Sequence, residues 1–237
     1  MRKPAIFSVP PAERAGAAPT QSAPIGQKTP SRRSGSRTLR SGTTGLAKLR
    51  RSARRCRACP LWEPATQTVF GEGPDDATIM LIGEQAGDRE DLEGLPFVGP
   101  AGRLLDQALA DVGIGRERLY VTNVIKHFKF ELRGRRRLHK RANAAEIAAC
   151  LRWLHGELAE IAPRYVVCLG AMAARVMLGT KFKLMQERGR WLPIGDRQWC
   201  LATVHPSAVL RTRADDSFDD VYAMFVADLA QLKHPPR

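Results

Sequence analysis

The sequence predicts an α/β domain of three layers, α/β/α, with a central parallel, doubly wound sheet. Short runs of apolar and β-branched residues alternate with longer stretches in which apolar residues recur at helical spacing. Runs of the first kind are typical of parallel strands buried on both faces. Regular alternation of strand and helix favours a sheet covered by helices on both sides.

Each element has a boundary signal, since Gly, Asn, Pro or Asp bounds the apolar runs. The predicted strands span residues 78–82, 119–122, 165–169 and 199–204. The predicted helices, which follow the strands in turn, span residues 101–112, 142–161, 171–178 and 217–232. Ligands bind such sheets beyond the carboxyl ends of the strands. Glu84, Asn123 and His205 each follow a predicted strand, so they are candidate site residues.

The chain is long enough for one folded domain, expected over residues 51–237, after a basic tail over residues 1–50. It has 237 residues, of which 43% are hydrophobic, and a net charge of +14. The tail alone carries +9, with ten Lys/Arg against one Glu. Its small apolar content predicts a disordered arm that raises affinity for nucleic acid. The alternatives are a variable extension and an organellar transit peptide.

Membrane and export signals are missing from the sequence pattern. No apolar run approaches the length of about 20 residues that spans a bilayer, and the N-terminus lacks the apolar segment of a secretory signal. We therefore expect a cytoplasmic, nucleoid-associated monomer that does not contact a membrane.

Four of the five cysteines form a pattern that suits a metal. Cys56 and Cys59 make a Cys-x-x-Cys, and 17 residues separate Cys150 from Cys168. Four thiolates hold either zinc or an iron–sulfur cluster, so the spacing alone leaves both open. A disulfide is disfavoured in a reducing compartment, and Cys168 also suits an ordinary buried thiol. Cys200 lies in a predicted core strand, where we expect an inert thiol.

Together with these cysteines, three segments resemble the iron–sulfur uracil-DNA glycosylases. They are Ile-Gly-Glu-Gln-Ala-Gly-Asp at 82–88, His-Pro-Ser at 205–207 and a loop at 133–141 with six cations in nine residues. The Arg/His-rich loop is similar to that of the UdgX-type branch. The resemblance implies a [4Fe–4S] cluster on the four cysteines and uracil-containing DNA, including single strands, as the substrate. It also implies that the enzyme removes uracil and then stays attached to the DNA through His139.

The resemblance assigns a role to individual residues of this chain. It implies that Glu84, His139 and His205 are catalytic. The implied uracil-binding residues are Gln85, Asp88, Phe97, Asn123 and His205. The implied DNA-binding residues are Arg135, Arg136, Arg137, Lys140, Ser207 and Arg211. Ala86 stands where the UdgX-type branch commonly has proline, a departure that bears on the rigidity of the loop.

Physical chemistry agrees with these roles while leaving alternatives. The Asn123 amide can pair with uracil O4 and N3–H, whereas cytosine presents the opposite pattern. Phe97 can stack on any base. Cations around His139 disfavour imidazolium, which leaves a neutral nucleophile that Glu84 can orient. Alternatively, Phe97 packs in the core, Asn123 caps a turn and the basic loop only grips phosphates.

Two other functions remain open from the sequence. An ordinary iron–sulfur uracil-DNA glycosylase would let water take the place of His139 and would turn over. A cysteine-stabilised module that binds DNA without catalysis would carry the same charge pattern.

Overall fold

A five-stranded sheet with the order β2-β1-β5-β7-β6 forms the centre of the fold in the computed structural model, which describes residues 45–237. The strands of this sheet are β1 (Ile79–Gln85), β2 (Tyr120–Ile125), β5 (Tyr165–Leu169), β6 (Trp191–Pro193) and β7 (Trp199–Thr203). All neighbouring pairs are parallel except β6 with β7. Two further strands, β3 (Phe130–Arg133) and β4 (Arg136–His139), form a separate antiparallel hairpin.

Helices cover both faces of the sheet. They are α1 (Gly45–Ala53), α2 (Asp88–Glu93), α3 (Pro100–Asp111), α4 (Ala144–Ile161), α5 (Ala171–Leu178), α6 (Leu184–Glu187), α7 (Pro206–Arg211) and α8 (Phe218–Ala230). Helices α1, α4 and α5 pack in one core cluster, and α3, α7 and α8 pack in the other. Strand β5 shows why two cores form: Val166 and Cys168 face the first cluster, and Val167 and Leu169 face the second. The predicted three-layer α/β/α class is confirmed.

The four predicted strands are present, but β1 and β2 extend further than expected. Pairing continues from Gly83 with Asn123 to Gln85 with Ile125. Glu84 and Asn123 are therefore strand residues, not residues of the loops that follow. Polar residues do not mark the ends of these strands, because the hydrogen bonds between paired backbones do not depend on the polarity of the side chains.

Three further features differ from the sequence expectations. The basic loop at 133–141 forms most of the β3–β4 hairpin, with Gly134 in the left-handed region at φ 59°. Edge strand β6 is antiparallel, whereas we expected a parallel sheet. Helix α1 begins at Gly45, so residues 45–50 of the expected tail are helical. The rest of the predicted tail lies outside the described residues.

Two predicted helices have clear local causes for their boundaries. Helix α4 starts with a capping box in which Asn143 accepts from the Glu146 N–H and Glu146 accepts from the Asn143 N–H. Pro100 stands at the first turn of α3, where its missing N–H costs nothing. Across residues 45–237, no helix is long and apolar enough to span a membrane.

Candidate active site

The floor of the candidate pocket is formed where β1 and β2 end. Gly83 pairs with Asn123 across the two strands. A Cβ atom at Gly83 would clash with Asn123 Oδ1 and with the Phe97 ring. Glycine is therefore required for Asn123 and Phe97 to pack over this strand.

Phe97 is held in an unusual backbone conformation. Its φ of 55° lies in the left-handed region, which a bulky residue rarely adopts. Arg116 holds this segment by donating to the carbonyl oxygens of Pro96 at 2.7 Å and Phe97 at 3.2 Å. Arg116 is itself paired with Asp106 at 2.7 Å. Phe97 is 5% exposed and packs in the core cluster of α3, α7 and α8. Because strain that surrounding contacts maintain is common at functional sites, its conformation also makes it a candidate site residue.

Two buried acceptors in this region have no partner. Asn123 is 2% exposed and Gln85 is 8% exposed. Asn123 Oδ1 and Gln85 Oε1 are the buried side-chain oxygens that lack a hydrogen bond among the described residues. An unpaired buried acceptor costs about 1–3 kcal/mol. A ligand that brings N–H groups into the pocket would recover that cost.

Glu84 lies at the point where the strand order reverses. From β1 the chain leads to β2 on one side, while β5 pairs on the other side. Glu84 Oε1 accepts from the Met172 N–H at 3.0 Å, in the first turn of α5. Gly170, at φ 99°, makes room, because a Cβ atom there would lie 2.5 Å from Glu84 Oε1. The carboxylate is thus fixed at the crevice where doubly wound sheets bind ligands.

His205 is the N-cap residue of α7 and is locked in one tautomer. Its Nδ1 accepts from the Ser207 N–H at 3.1 Å, so the ring proton lies on Nε2. Burial lowers the pKa of His205 to about 4, aided by the charges of Arg211 and His139. The ring stacks beside Phe97 with centroids 5.8 Å apart. His205 is therefore a neutral N–H donor at the pocket wall.

His139 ends the β3–β4 hairpin, opposite Phe130. Its ring lies 5.9 Å from that of Phe128, centroid to centroid. Burial lowers the pKa of His139 below its ordinary value of 6.5, against the opposing charge of Glu84 and with the help of Arg141 and Arg211. The hairpin therefore brings a neutral imidazole within the electrostatic reach of Glu84.

Comparison with known proteins matches this geometry to one family. Residues 70–230 match the model of the uracil DNA glycosylase superfamily. The type-4 uracil-DNA glycosylase of Thermotoga maritima is 36% identical over 164 residues, which cover 69% of this chain and 82% of the relative. The type-4 uracil-DNA glycosylase of Archaeoglobus fulgidus is 36% identical over 192 residues, which cover 76% of this chain and 90% of the relative.

The chain belongs to the uracil DNA glycosylase superfamily. Membership makes it a DNA glycosylase with DNA as its substrate. The type-4 enzyme of Pyrobaculum aerophilum is also similar, at 33% identity over 192 residues.

Two predicted site residues of this glycosylase also make structural contacts. Arg137 pairs with Asp88 and with Asp91, each at 2.6 Å, and its guanidinium lies over the rings of Phe128 and Phe130. We expected Asp88 to bind uracil and Arg137 to bind phosphate. Their ion pair anchors the hairpin on α2, because the fork of an arginine bonds two carboxylates at once.

The other predicted DNA-binding cations lie at the surface. Arg135 and Arg136 are exposed at the turn of the hairpin. Lys140 pairs with Glu131 at 2.9 Å, with both side chains about half exposed, so it is easily freed. Gln85 Nε2 donates to the Lys140 carbonyl at 3.4 Å, which joins the hairpin to β1.

Near α7, Arg211 donates to Ser207 Oγ at 3.4 Å. Both residues lie on the helix that His205 caps, at the carboxyl end of β7. Ser207 and Arg211 therefore lie at the same end of the sheet as Glu84.

The four predicted metal ligands are only partly brought together. Burial raises the pKa of the Cys150 thiol to about 11, and the charges of Cys59 and Cys56 also raise it. The Sγ atom of Cys168 lies 3.5 Å from that of Cys200, so these two buried thiols are neighbours. Within the described part of the chain, no group of three or more His, Cys, Asp or Glu side chains could hold a metal ion as placed.

The chemistry of three sulfurs nevertheless suits an iron–sulfur cluster. Cys56 Sγ accepts from Trp153 Nε1 at 3.2 Å, and Cys150 Sγ accepts from the Lys126 N–H at 3.3 Å. N–H groups aimed at cysteine sulfurs are among the features that tune such clusters. Cys56, Cys59 and Cys150 therefore fit the group, and Cys168 lies in the same core cluster as these three cysteines.

Sequence reasoning missed the residues that support the pocket from below. Lys126 and Glu157 are both 0% exposed and form an ion pair. Arg116 and Asp91, which hold Phe97 and the hairpin, were also missed. Charged residues normally indicate a surface, and nothing in their spacing identified the partners that bury them.

Proposed function

We propose that this glycosylase excises uracil from DNA and ends as a covalent adduct between His139 and C1′ of the deoxyribose. The observation that supports this most directly is that the charge of Glu84 acts on His139, while desolvation lowers the pKa of that imidazole. His139 is exposed at the end of the hairpin, where a substrate can reach it, and an imidazole beside a carboxylate is a pairing that activates nucleophiles.

Base recognition is assigned to Asn123 and Phe97. Uracil N3–H would supply the donor that Asn123 Oδ1 lacks, and the amide NH₂ would donate to O4. Cytosine offers an acceptor at N3 and a donor at N4, so it would leave both amide groups unpaired. A site of this kind rejects the wrong base strongly. Phe97 would stack on the extruded ring, which requires uracil to leave the base stack.

Departure of the base is assigned to His205. When the bond between N1 and C1′ breaks, its electron pair leaves with uracil as an anion whose charge reaches O2. His205 would donate its Nε2 proton in a hydrogen bond to O2. Because the ring is neutral and locked by Ser207, it stays a donor throughout the reaction. A donor placed where charge develops lowers the barrier.

Capture of the sugar is assigned to His139 and Glu84. The lone pair of a ring nitrogen of His139 would form a bond to the cationic C1′, and the imidazole would become positively charged. The Glu84 carboxylate would balance that charge and accept the remaining ring proton, which leaves a neutral, substituted imidazole. In the alternative reaction, water attacks C1′ and the enzyme is released.

We propose a [4Fe–4S] cluster as the cofactor, held by Cys56, Cys59 and Cys150 with a fourth ligand. Such a cluster would be structural, since it would tie the segment after α1 to α4. Three of its sulfurs come from segments that the N–H groups of Trp153 and Lys126 already orient.

One assay tests the proposed reaction. Wild-type protein is incubated with single-stranded DNA that contains one uracil, and free uracil and a denaturant-stable protein–DNA band are measured. The proposal requires both. Free uracil alone would establish an ordinary turnover enzyme, which the names of the type-4 relatives favour. Neither signal would leave a protein that only binds DNA.

Substitution of His139 distinguishes the nucleophile. His139→Ala should remove the stable band, whereas uracil release should persist if water enters the vacated space. His234→Ala is the matched control, since His234 is exposed near the C-terminus. Peptide mapping should place the sugar on the peptide that contains Leu138-His139. An adduct on Lys140, or one at full yield in His139→Ala, would contradict the histidine mechanism.

A further inference from the structure

A cationic groove of about 720 Å³ lies beside α1, apart from the uracil pocket. Three arginines line it, Arg50, Arg54 and Arg57, against the two carboxylates of Glu63 and Glu72. The aromatic rings of Trp62 and Phe70 also line it. Residues 48–57 contain six Lys/Arg and no acid, a density comparable to that of the hairpin. Neither the base-binding residues nor the hairpin account for this second concentration of charge.

We propose that this groove binds the sugar–phosphate backbone of single-stranded DNA that flanks the uracil. Arg54 and Arg57 contact phosphates, and the stacked Arg57–Trp62 pair provides a flat surface for a base. Grooves that combine arginine with an aromatic platform are typical of sites for single strands. That the bound strand is the one that contains uracil rests on the proposed function. That the groove binds a single strand does not.

The arginines differ in how free they are to bind a ligand. Arg50 is committed to the fold, because it donates to the Gly71 carbonyl at 2.7 Å and pairs with Glu72 at 3.3 Å. The Arg57 guanidinium lies 3.9 Å from the centroid of the Trp62 ring. Arg54 is exposed, and its side chain has no ion pair or hydrogen bond among residues 45–237. Arg54 is therefore the best single probe of the groove.

The groove is continuous with the active site. Thr66 lines the groove, and its Oγ1 accepts from Arg137 at 3.4 Å, the residue that anchors the hairpin. Leu95 also lines the groove and stands two positions before Phe97. A strand whose uracil is stacked on Phe97 can therefore extend into the groove without leaving the protein surface.

The charge of the groove selects its occupant. Residues 1–44 hold eight Lys/Arg and one Glu, so the N-terminal segment repels a surface rich in arginine. A polyanion is attracted to it. DNA is the polyanion that this family must bind, and its phosphates recur at a spacing that several arginines along one groove can follow.

The test measures how much affinity a longer strand gains. The short probe is an oligonucleotide of about five nucleotides centred on 2′-fluoro-deoxyuridine, whose glycosidic bond resists cleavage. The long probes add about ten thymidines on the 5′ or the 3′ side, within the range of single-strand sites. We expect one of the two extensions to tighten binding to the wild type. In Arg54→Ala, the gain in affinity on extension should be about tenfold smaller than in the wild type. The slope of log K against log salt concentration should be about 0.7 less steep, as expected for the loss of one phosphate contact.

Matched variants separate the groove from general charge. Arg197→Ala removes an exposed arginine just before β7, at the opposite end of the sheet, and should keep the full gain. Arg54→Lys keeps the charge and should retain most of it. The proposal is overturned if the wild type gains nothing on extension, if Arg54→Ala keeps the full gain, or if Arg54→Ala weakens short and long probes equally. Since binding is measured without cleavage, a failure of uracil release from ordinary substrate is a separate result.

Discussion

Lys126 and Glu157 form a completely buried ion pair that contacts the backbone of Asn123. Lys126 Nζ also donates to the Asn123 carbonyl at 2.7 Å and to Thr122 Oγ1 at 2.6 Å. Glu157 accepts from the Gly71 N–H at 2.9 Å and from the Tyr120 hydroxyl at 3.0 Å. Because every polar group of the pair has a partner, the network fixes the end of β2 and with it the direction of Asn123.

Breaking this pair should destabilise the fold strongly. Glu157→Leu leaves the Lys126 charge buried and unpaired, which should cost about 3–5 kcal/mol of unfolding free energy. The double variant Lys126→Met/Glu157→Leu should recover part of the loss, since no charge is left unpaired. Chemical denaturation of the three proteins measures this. Equal stability of Glu157→Leu and the wild type would show that the pair is unimportant.

Asn123→Ala should reduce uracil excision far more than DNA binding. The amide reads the base, whereas phosphate contacts supply much of the affinity. Asn143→Ala is the matched control, because it removes the cap of α4 and should cost about 1 kcal/mol of stability with little effect on excision. Excision rates and binding to DNA with an abasic site are compared. A parallel loss of both in Asn123→Ala would assign this residue to the fold.

The sequence predicted the layers and the pocket better than it predicted what supports them. Residues such as Glu84 and His205 could be found because they follow apolar runs at strand ends. Arg137 could not be separated from Arg135 and Arg136, since all three are cations in one basic run. Only the fold brings Asp88 and Asp91 of α2 into contact with Arg137. The partner of Cys168 was likewise hidden, because strand neighbours depend on the sheet order.

Substitutions of the individual cysteines should have distinct effects on the iron content of the protein. Cys56→Ser and Cys150→Ser should lose the brown colour, iron and sulfide, because both sulfurs belong to the group that fits a cluster. Cys168→Ala and Cys200→Ala form a matched pair of buried thiols 3.5 Å apart, and we expect both to keep iron. Metal and sulfide analysis of anaerobically purified protein measures this. Stoichiometric zinc without iron would refute the cluster, and loss of iron in Cys168→Ala alone would make Cys168 a ligand.

Arg137→Ala should slow formation of the stable adduct more than uracil release. Without its pairs to Asp88 and Asp91, the hairpin that carries His139 loses its anchor on α2. Arg135→Ala removes the same charge from the exposed turn and serves as the matched control. Hydrogen exchange of the hairpin amides should increase only in Arg137→Ala. If both variants slow the adduct equally, charge rather than positioning explains the effect.

The rate of adduct formation should fall as the pH decreases through the lowered pKa of His139. Burial disfavours the imidazolium, so the neutral nucleophile persists below the ordinary pKa of 6.5 and is lost only when the ring is finally protonated. Arg141 lowers this pKa further, and Arg141→Ala should therefore raise it and shift the acid limb of the profile to higher pH. Arg133→Ala, a cation of the same hairpin that does not act on His139, should leave the limb in place. Single-turnover rates of adduct formation across the pH range give both profiles. A limb that moves equally in the two variants would reflect weaker DNA binding, and one that does not move in Arg141→Ala would assign the titration to a group other than His139.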